Sequence, residues 1–277
     1  MNAVDVENLS KYYRSRIRGR LICALKDATF SVPENSIFGI IGANGAGKST
    51  TIKILTGLIR KSEGSFKIFG EPLTQKNKSQ IGYLPETLSF YGFLNAYETL
   101  LFYAKLCGIS KSKAAQKAVE ILDKVGLAND ANRPLREYSK GMLQRVAIAQ
   151  AIIHSPRLVV LDEPASGLDP IGAADMRRII LDLRDSGKTV LLSSHQMGDV
   201  EKLCDGVVLM AHSQVRAKGA LGDLLRRENA YTLELLNSTK ETALCVKDFA
   251  EKQGCKVASF GESRESLDSY FERISRQ

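Results

Sequence analysis

The segment Gly42-Ala43-Asn44-Gly45-Ala46-Gly47-Lys48-Ser49 fits the spacing G-x-x-x-x-G-K-[ST], with Thr50 directly behind it. An apolar run, Ile37–Ile41, precedes it, and a helix-like stretch, Thr50–Ile59, follows it. In that setting the pattern is a phosphate cradle. Glycines let the backbone curl so that successive N–H groups face an anion, and the start of the next helix adds partial positive charge. Lys48 would neutralise the charge on β- and γ-phosphates, and Ser49 would ligate Mg²⁺.

A second constellation is Leu158-Val159-Val160-Leu161-Asp162-Glu163, an apolar strand ending in two acids. Open parallel sheets bind ligands at the carboxyl ends of their strands, so Asp162 is expected beside the cradle, holding Mg²⁺ through water. Glu163, one residue on, would reach the water that attacks the γ-phosphate. Phosphoryl transfer needs little more than positioning, charge neutralisation and an oriented nucleophile.

These residues need a scaffold. Val4–Leu9, Ala28–Val32, Ile37–Ile41 and Ser65–Phe69 read as strands. Ala96–Val125 carries a helical stripe, Met142–Ile153 is a further helix ending before Pro156, and Leu158–Leu161, Ala173–Asp185 and Thr189–Ser193 read as strand, helix, strand, which implies a parallel sheet. Val207–Met210 and Gln214–Ala217 read as a closing hairpin. Beyond Gly219, Tyr231–Leu235, Lys240–Lys252, Lys256–Phe260 and Ser266–Ile274 read as strand, helix, strand and helix. The division is a nucleotide-binding domain over residues 1–220, with a helical subdomain at about 87–155, and a small α+β appendage over 221–277.

The chain has 277 residues, 44% hydrophobic and 25% charged, a balance suited to a soluble globular protein. No run approaches the roughly 18–20 apolar residues that span a bilayer, and Met1–Leu9 has no apolar signal-peptide core. The expected location is the cytoplasm. Five scattered cysteines, none in a C-x-x-C pair, argue against a disulfide framework or a zinc site. The net charge of +8 suits nucleic acid, anionic lipid or nucleotide and does not choose among them. Arginines alternate through Arg14-Ser15-Arg16-Ile17-Arg18-Gly19-Arg20, which in a strand would put them on one face.

P-loops serve several enzyme classes. A GTPase would carry N-K-x-D, and Asn77-Lys78-Ser79-Gln80 lacks the acid. Tyr138-Ser139-Lys140-Gly141-Met142-Leu143-Gln144-Arg145, between the cradle and the acidic strand, resembles the signature of ABC ATPases. Ser166-Gly167-Leu168-Asp169 resembles that family's D-loop, and Ser193-Ser194-His195 its switch histidine. The resemblance spans about Val6 to Gly219.

The resemblance implies a P-loop NTPase fold: a RecA-like α/β core with an antiparallel β subdomain and a helical subdomain. It implies an ATPase that takes ATP and Mg²⁺ and drives a separate transmembrane permease subunit. Two nucleotide-binding domains, two copies of this chain or one with a paralogous subunit, would meet head to tail around two ATP molecules. Glu163 and His195 would be catalytic. Ser139, Lys140, Gly141 and Met142 would face the second subunit's nucleotide, Asp169 would organise the opposite site, and the adenine would stack on Tyr13, with Tyr12 as the rival. No nucleic-acid partner is expected; a soluble or regulatory ABC ATPase acting on a non-transport partner is the alternative.

Two positions depart from the family pattern. Glu86 stands where glutamine is usual; a carboxylate can bind Mg²⁺ but cannot donate a hydrogen bond as an amide does. Lys140 replaces a glycine, and Lys140 of one subunit is expected to offset Glu86 of the facing site. This glutamate–lysine pair resembles ATPases of ABC-2 type exporters. The loop residues Leu88, Phe90, Tyr91, Phe93 and Leu94 are either subdomain core or a groove for a helix of the membrane subunit.

Overall fold

The computed structural model describes residues 1–14, 21–226, 230–231, 233 and 235–261. The chain separates into two compact units, Met1–Leu225 and Arg226–Gln277. In the first, the strands are β1 (Asn2–Arg14), β2 (Leu21–Pro33), β3 (Ile37–Ile41), β4 (Glu63–Ile68), β5 (Glu71–Pro72), β6 (Ile81–Leu84), β7 (Leu158–Asp162), β8 (Thr189–Ser194), β9 (Gly206–Ala211) and β10 (Gln214–Ala220). The helices are α1 (Lys48–Leu55), α2 (Ala96–Leu106), α3 (Lys111–Lys124), α4 (Lys140–Ile152), α5 (Pro170–Asp185), α6 (Met197–Leu203) and α7 (Leu221–Leu225).

Two sheets form. One is antiparallel, in the order β2-β1-β4-β5; the other runs β10-β9-β3-β8-β7-β6. Within the second, β6, β7, β8, β3 and β9 are parallel neighbours, and β10 closes the edge antiparallel to β9. The expected strand–helix–strand unit is β7–α5–β8. Strands β3 and β7 are buried at every position, which is why they read as unbroken apolar runs rather than alternations. One core cluster joins the parallel sheet to α2–α5 and contains Leu100, Leu122, Val146, Leu161 and Leu192. A second lies between the antiparallel sheet, α1 and the other face of the parallel sheet, with Phe30, Ile52, Ile54 and Leu191.

The expected helix Thr50–Ile59 begins two residues earlier and stops at Leu55, because Leu58 and Ile59 fold back to the Lys53 carbonyl through Gly57, whose φ is +69°. The stripe over Ala96–Val125 is two helices. Gly108, at φ +75°, turns the chain between them, and a capping box of Asn95 and Glu98 starts the first.

In the second unit, helix α8 spans Lys240–Lys252 as expected. Lys256–Phe260 carries no strand, and neither do Tyr231, Leu233 and Leu235. Among the described residues of that unit nothing pairs with them, and a strand needs a ladder. The expected helix Ser266–Ile274 and Ser15–Arg20 of the arginine-rich segment lie outside the described residues. Among the described residues no helix is long and apolar enough to cross a membrane.

The seam between α4 and β6 fixes where the helical subdomain joins the sheet, and Gly82 sits in it. A Cβ there would overlap the Ala151 carbonyl oxygen and come within 2.9 Å of Pro156 Cγ. Gly82→Ala is expected to destabilise the first unit by about 1–3 kcal/mol, read as a lower urea midpoint at unchanged slope.

Candidate functional site

The site is built where β3 and β7 end. After β3, Gly42 packs so tightly that a Cβ would overlap the Met210 carbonyl oxygen. Gly45 and Gly47 take φ values of +81° and +106°, and a Cβ on Gly47 would lie 2.7 Å from the Ala24 carbonyl. These positions therefore require glycine. Asn44 and Gly45 are the exposed tip of the turn, Ala46 turns inward, and α1 starts at Lys48 with Gly47 at its N-cap. Ser49 and Thr50 are half-buried in its first turn.

Lys48 is 5% exposed, yet its ammonium is well supplied. It donates to the Gly42 carbonyl at 2.8 Å and lies 3.3 Å from Glu163 Oε1. At the end of β7, Asp162 is 1% exposed. Its Oδ1 accepts from Ser193 Oγ at 2.6 Å and from Ser49 Oγ at 3.3 Å. The Ser193 hydroxyl in turn accepts the Glu163 backbone N–H at 2.9 Å. Glu163 turns the chain with φ +54°, and its second oxygen, Oε2, meets His195 Nδ1 at 2.8 Å. Lys48, Ser49, Asp162, Glu163, Ser193 and His195 thus form one connected cluster. His195 is its outer member, with a side chain 43% exposed.

Ser49 Oγ and Asp162 Oδ1 are neighbouring hard oxygens at the mouth of a phosphate cradle, a donor set that fits Mg²⁺ held jointly with substrate phosphates. Glu86 is exposed at the end of β6. Its charge is felt at Tyr83, whose phenol burial first, and then the Asp162 and Glu86 carboxylates, push up to about 12. Glu86 and Asp162 therefore act on the same phenol.

The other candidate residues lie outside this cluster. Ser139 caps α4, its Oγ accepting the Met142 N–H at 3.3 Å, and Ser139 and Lys140 are exposed while Gly141 and Met142 are half-buried. Asp169 caps α5 through Gly172 N–H at 2.6 Å. The Lys140 ammonium stands against Gly167 of its own chain, in the space a Cβ would occupy. Gln144 Nε2 donates to the Ser166 carbonyl at 3.4 Å, and a Cβ on Gly141 would touch Leu168 Cδ2 at 3.5 Å. The turn 166–168 is therefore packed onto the start of α4. Tyr13 is 40% exposed at the end of β1, with Lys11 Nζ 5.0 Å from its ring centre, and Tyr12 is half-buried.

Sequence reasoning placed Ser193 in the switch segment without a role of its own, and passed over Tyr83 and Gln144. A serine on a buried strand beside two acids was the available signal for Ser193; nothing local marks the other two.

The loop 88–94 divides. Leu88 and Phe90 pack on the core, whereas Tyr91 and Phe93 are 59% and 73% exposed. Tyr91 meets Phe93 and Phe102 with ring centres 5.8 and 6.2 Å apart.

Comparison with known proteins identifies the family. Residues 25–166 match the ABC transporter family model. An uncharacterised ABC transporter ATP-binding protein of Synechocystis is 40% identical over 100% of this chain and 85% of its own length. The lantibiotic transport ATP-binding protein SrtF of Streptococcus pyogenes is 38% identical over 73% of this chain and 84% of its own. Among solved structures, an ATP-binding subunit of an ABC transporter superposes with a TM-score of 0.70 at 32% identity, covering 80% of this chain and 91% of that one. The chain belongs to the ABC transporter family, as one of its ATP-binding and ATP-hydrolysing subunits.

Proposed function

We propose that this chain is the nucleotide-driven motor of an ABC exporter, docked on the cytoplasmic face of a membrane through a separate transmembrane permease. The observation that carries the reading is the interlocked cluster of Lys48, Ser49, Asp162, Glu163, Ser193 and His195 at the carboxyl edge of the parallel sheet.

ATP enters with its phosphates on the Gly42–Thr50 cradle and its adenine on the exposed face of Tyr13. Lys48 leaves Glu163 for the β- and γ-phosphates, which are stronger partners for an ammonium than one carboxylate oxygen. Glu163, released on that side, accepts a proton from the attacking water. His195 holds the other carboxylate oxygen and orients it. Ser49 and Asp162, with Glu86 at the outer edge, would hold Mg²⁺, which would supply positive charge against the phosphates. Ser193 keeps Asp162 and the Glu163 backbone in register.

One chain supplies half of each site. Ser139, Lys140, Gly141, Met142 and Asp169 make no hydrogen bond to their own chain's cluster among the described residues, and Ser139 with the following helix start is an anion-gripping element aimed elsewhere. A second copy of the chain, placed head to tail, completes both sites. Export as the direction is supported by the Glu86 and Lys140 variants and by the lantibiotic transport assigned to the SrtF relative. The exposed ring group of Tyr91, Phe93 and Phe102 suits an apolar helix of the permease.

Glu163→Gln is expected to lower kcat for ATP hydrolysis by about 10²–10⁴-fold while ATP and Mg²⁺ convert the chain to a stable dimer on size exclusion. Extracted from native membranes in mild detergent, that variant should co-purify with a multi-span protein in stoichiometric amount. Recovery of the chain wholly without a membrane protein would overturn the transport reading. Ser193→Ala removes one acceptor and one donor at the cluster's centre. It is expected to reduce kcat about tenfold, from the roughly 1–3 kcal/mol cost of a buried unpaired group, with ATP affinity little changed. An unaltered kcat would remove Ser193 from the mechanism.

A further inference from the structure

A second basic site lies away from the nucleotide cluster, around the turn Ile153–Pro156 that joins α4 to β7. Lys117 and Lys124 are two helical turns apart on α3, so they project from the same side of it. Lys117 Nζ donates to Ser155 Oγ at 2.8 Å and lies 3.5 Å from the Ile153 carbonyl. Lys188, from the turn between α5 and β8, reaches the same segment from the other side and donates to the Pro156 carbonyl at 2.9 Å. Ser155 itself is held at φ +56°. Its hydroxyl accepts from Lys117 and keeps its own proton to donate.

The charges here are unbalanced. Among the described residues none of the three lysines forms an ion pair with a carboxylate. Neighbouring acids have other partners: Glu120 accepts from Gln116 at 2.8 Å and Asp185 pairs with Arg184 at 2.9 Å. Lys188 is half-buried, and its pKa is lowered by that burial and then by the charges of Lys124 and Lys117. His154 Nε2 is bonded to the Ile81 carbonyl at 3.1 Å. Its pKa is lowered by burial, partly offset by that bond, and lowered further by Lys117 and Lys188. The imidazole is therefore neutral at pH 7 and the positive field comes from the lysines. Lys117 and Lys188 hold two ammonium groups on one turn and Lys124 adds its charge at Lys188, which costs Coulomb energy that an anion between them would reverse. Two of the three are fixed by hydrogen bonds, so much of the ordering entropy is already spent before a ligand arrives.

We propose that Lys117, Lys124, Lys188 and the Ser155 hydroxyl form a binding site for a phosphate group, separate from the nucleotide site. The ligand chemistry is a tetrahedral oxyanion, carried either by free phosphate or by the headgroup of an anionic lipid. The site accounts for part of the chain's positive balance that the nucleotide site leaves unexplained, and it sits beside the α4–β6 seam that joins the helical subdomain to the sheet.

The test uses the full chain saturated with ADP and Mg²⁺, so that the P-loop is occupied. Inorganic phosphate is titrated while thermal unfolding is followed, and flotation is measured with phosphatidylcholine vesicles with and without phosphatidylglycerol. Two variants are compared with the natural chain: Lys117→Gln/Lys188→Gln, and Lys124→Gln, whose ammonium has no protein hydrogen bond to lose among the described residues. A phosphate-dependent rise in Tm that is weakened about threefold by Lys124→Gln and abolished in the double variant supports the site with free phosphate as its ligand. Flotation only with phosphatidylglycerol vesicles, lost in both variants, supports it with lipid as the source. Lys124→Gln should also leave Tm without phosphate unchanged or raised, because it removes a like charge; a merely structural lysine would lower it. If phosphate and phosphatidylglycerol act equally on the natural chain and on Lys124→Gln, the proposal is overturned, whether or not the double variant folds.

Discussion

Three charged side chains, Lys48, Asp162 and Glu163, are each less than a tenth exposed and lie together at the ends of two parallel strands. Burying any one alone would cost several kcal/mol. Together they are tolerable because each has a fixed partner. Lys48 answers Glu163, Ser193 and Ser49 answer Asp162, and His195 answers the remaining oxygen of Glu163. Much else in the first unit serves this arrangement. The parallel pairing of β7 with β8 sets Asp162 opposite Ser193. The glycines of the cradle let α1 begin close enough for Ser49 to touch Asp162 from the other side.

Lys48 and Glu163 are each other's partners, so the ammonium proposed for phosphate and the carboxylate proposed for water are paired with one another. An incoming triphosphate offers Lys48 more charge than Glu163 does, so in the proposed cycle binding and activation of the carboxylate are one exchange of partners. Separating a buried pair leaves a charge short of a partner, so the exchange depends on the triphosphate taking over Lys48 while His195 keeps its hold on Glu163.

The sequence disclosed the parts whose chemistry demands a fixed residue order. The cradle and the acidic strand end were legible because glycine, lysine and paired acids at those spacings have few other uses beside a buried strand, whereas the signature serine was reached only through the resemblance. Strands β3 and β7 were legible from unbroken apolar runs, and α8 from its period. The helix break at Gly108 was hidden, since an apolar stripe continues on both sides of it. Lys256–Phe260 looked like a strand because propensity is local, whereas a ladder is a property of two segments. The seat of Lys140 over Gly167 was hidden, because that space exists only once the turn 166–168 has folded onto α4. The lysines around Ile153–Pro156 come from α3 and the α5–β8 turn, far apart in order, so no window of sequence contains them.

That fold-back of residues 166–168 bears on how two chains could act together. Ser166 N–H donates to the Glu163 carbonyl at 3.1 Å, and Ser166 in turn accepts from Gln144 on α4. Ser139 opens the same helix. The proposed catalytic carboxylate of a chain and the element it would offer to a second chain's phosphate are therefore linked through a few directly packed residues. A displacement of the α4 start by a nucleotide held on a neighbour would be felt at Glu163 with little slack, because Gln144 holds the Ser166 carbonyl and Lys140 fills the space over Gly167. Packed interiors deform poorly and tend to shift between discrete arrangements. On that ground the two sites of a head-to-tail pair would be expected to change state together, with the short span from Ser139 to Glu163 as the mechanical link inside each chain.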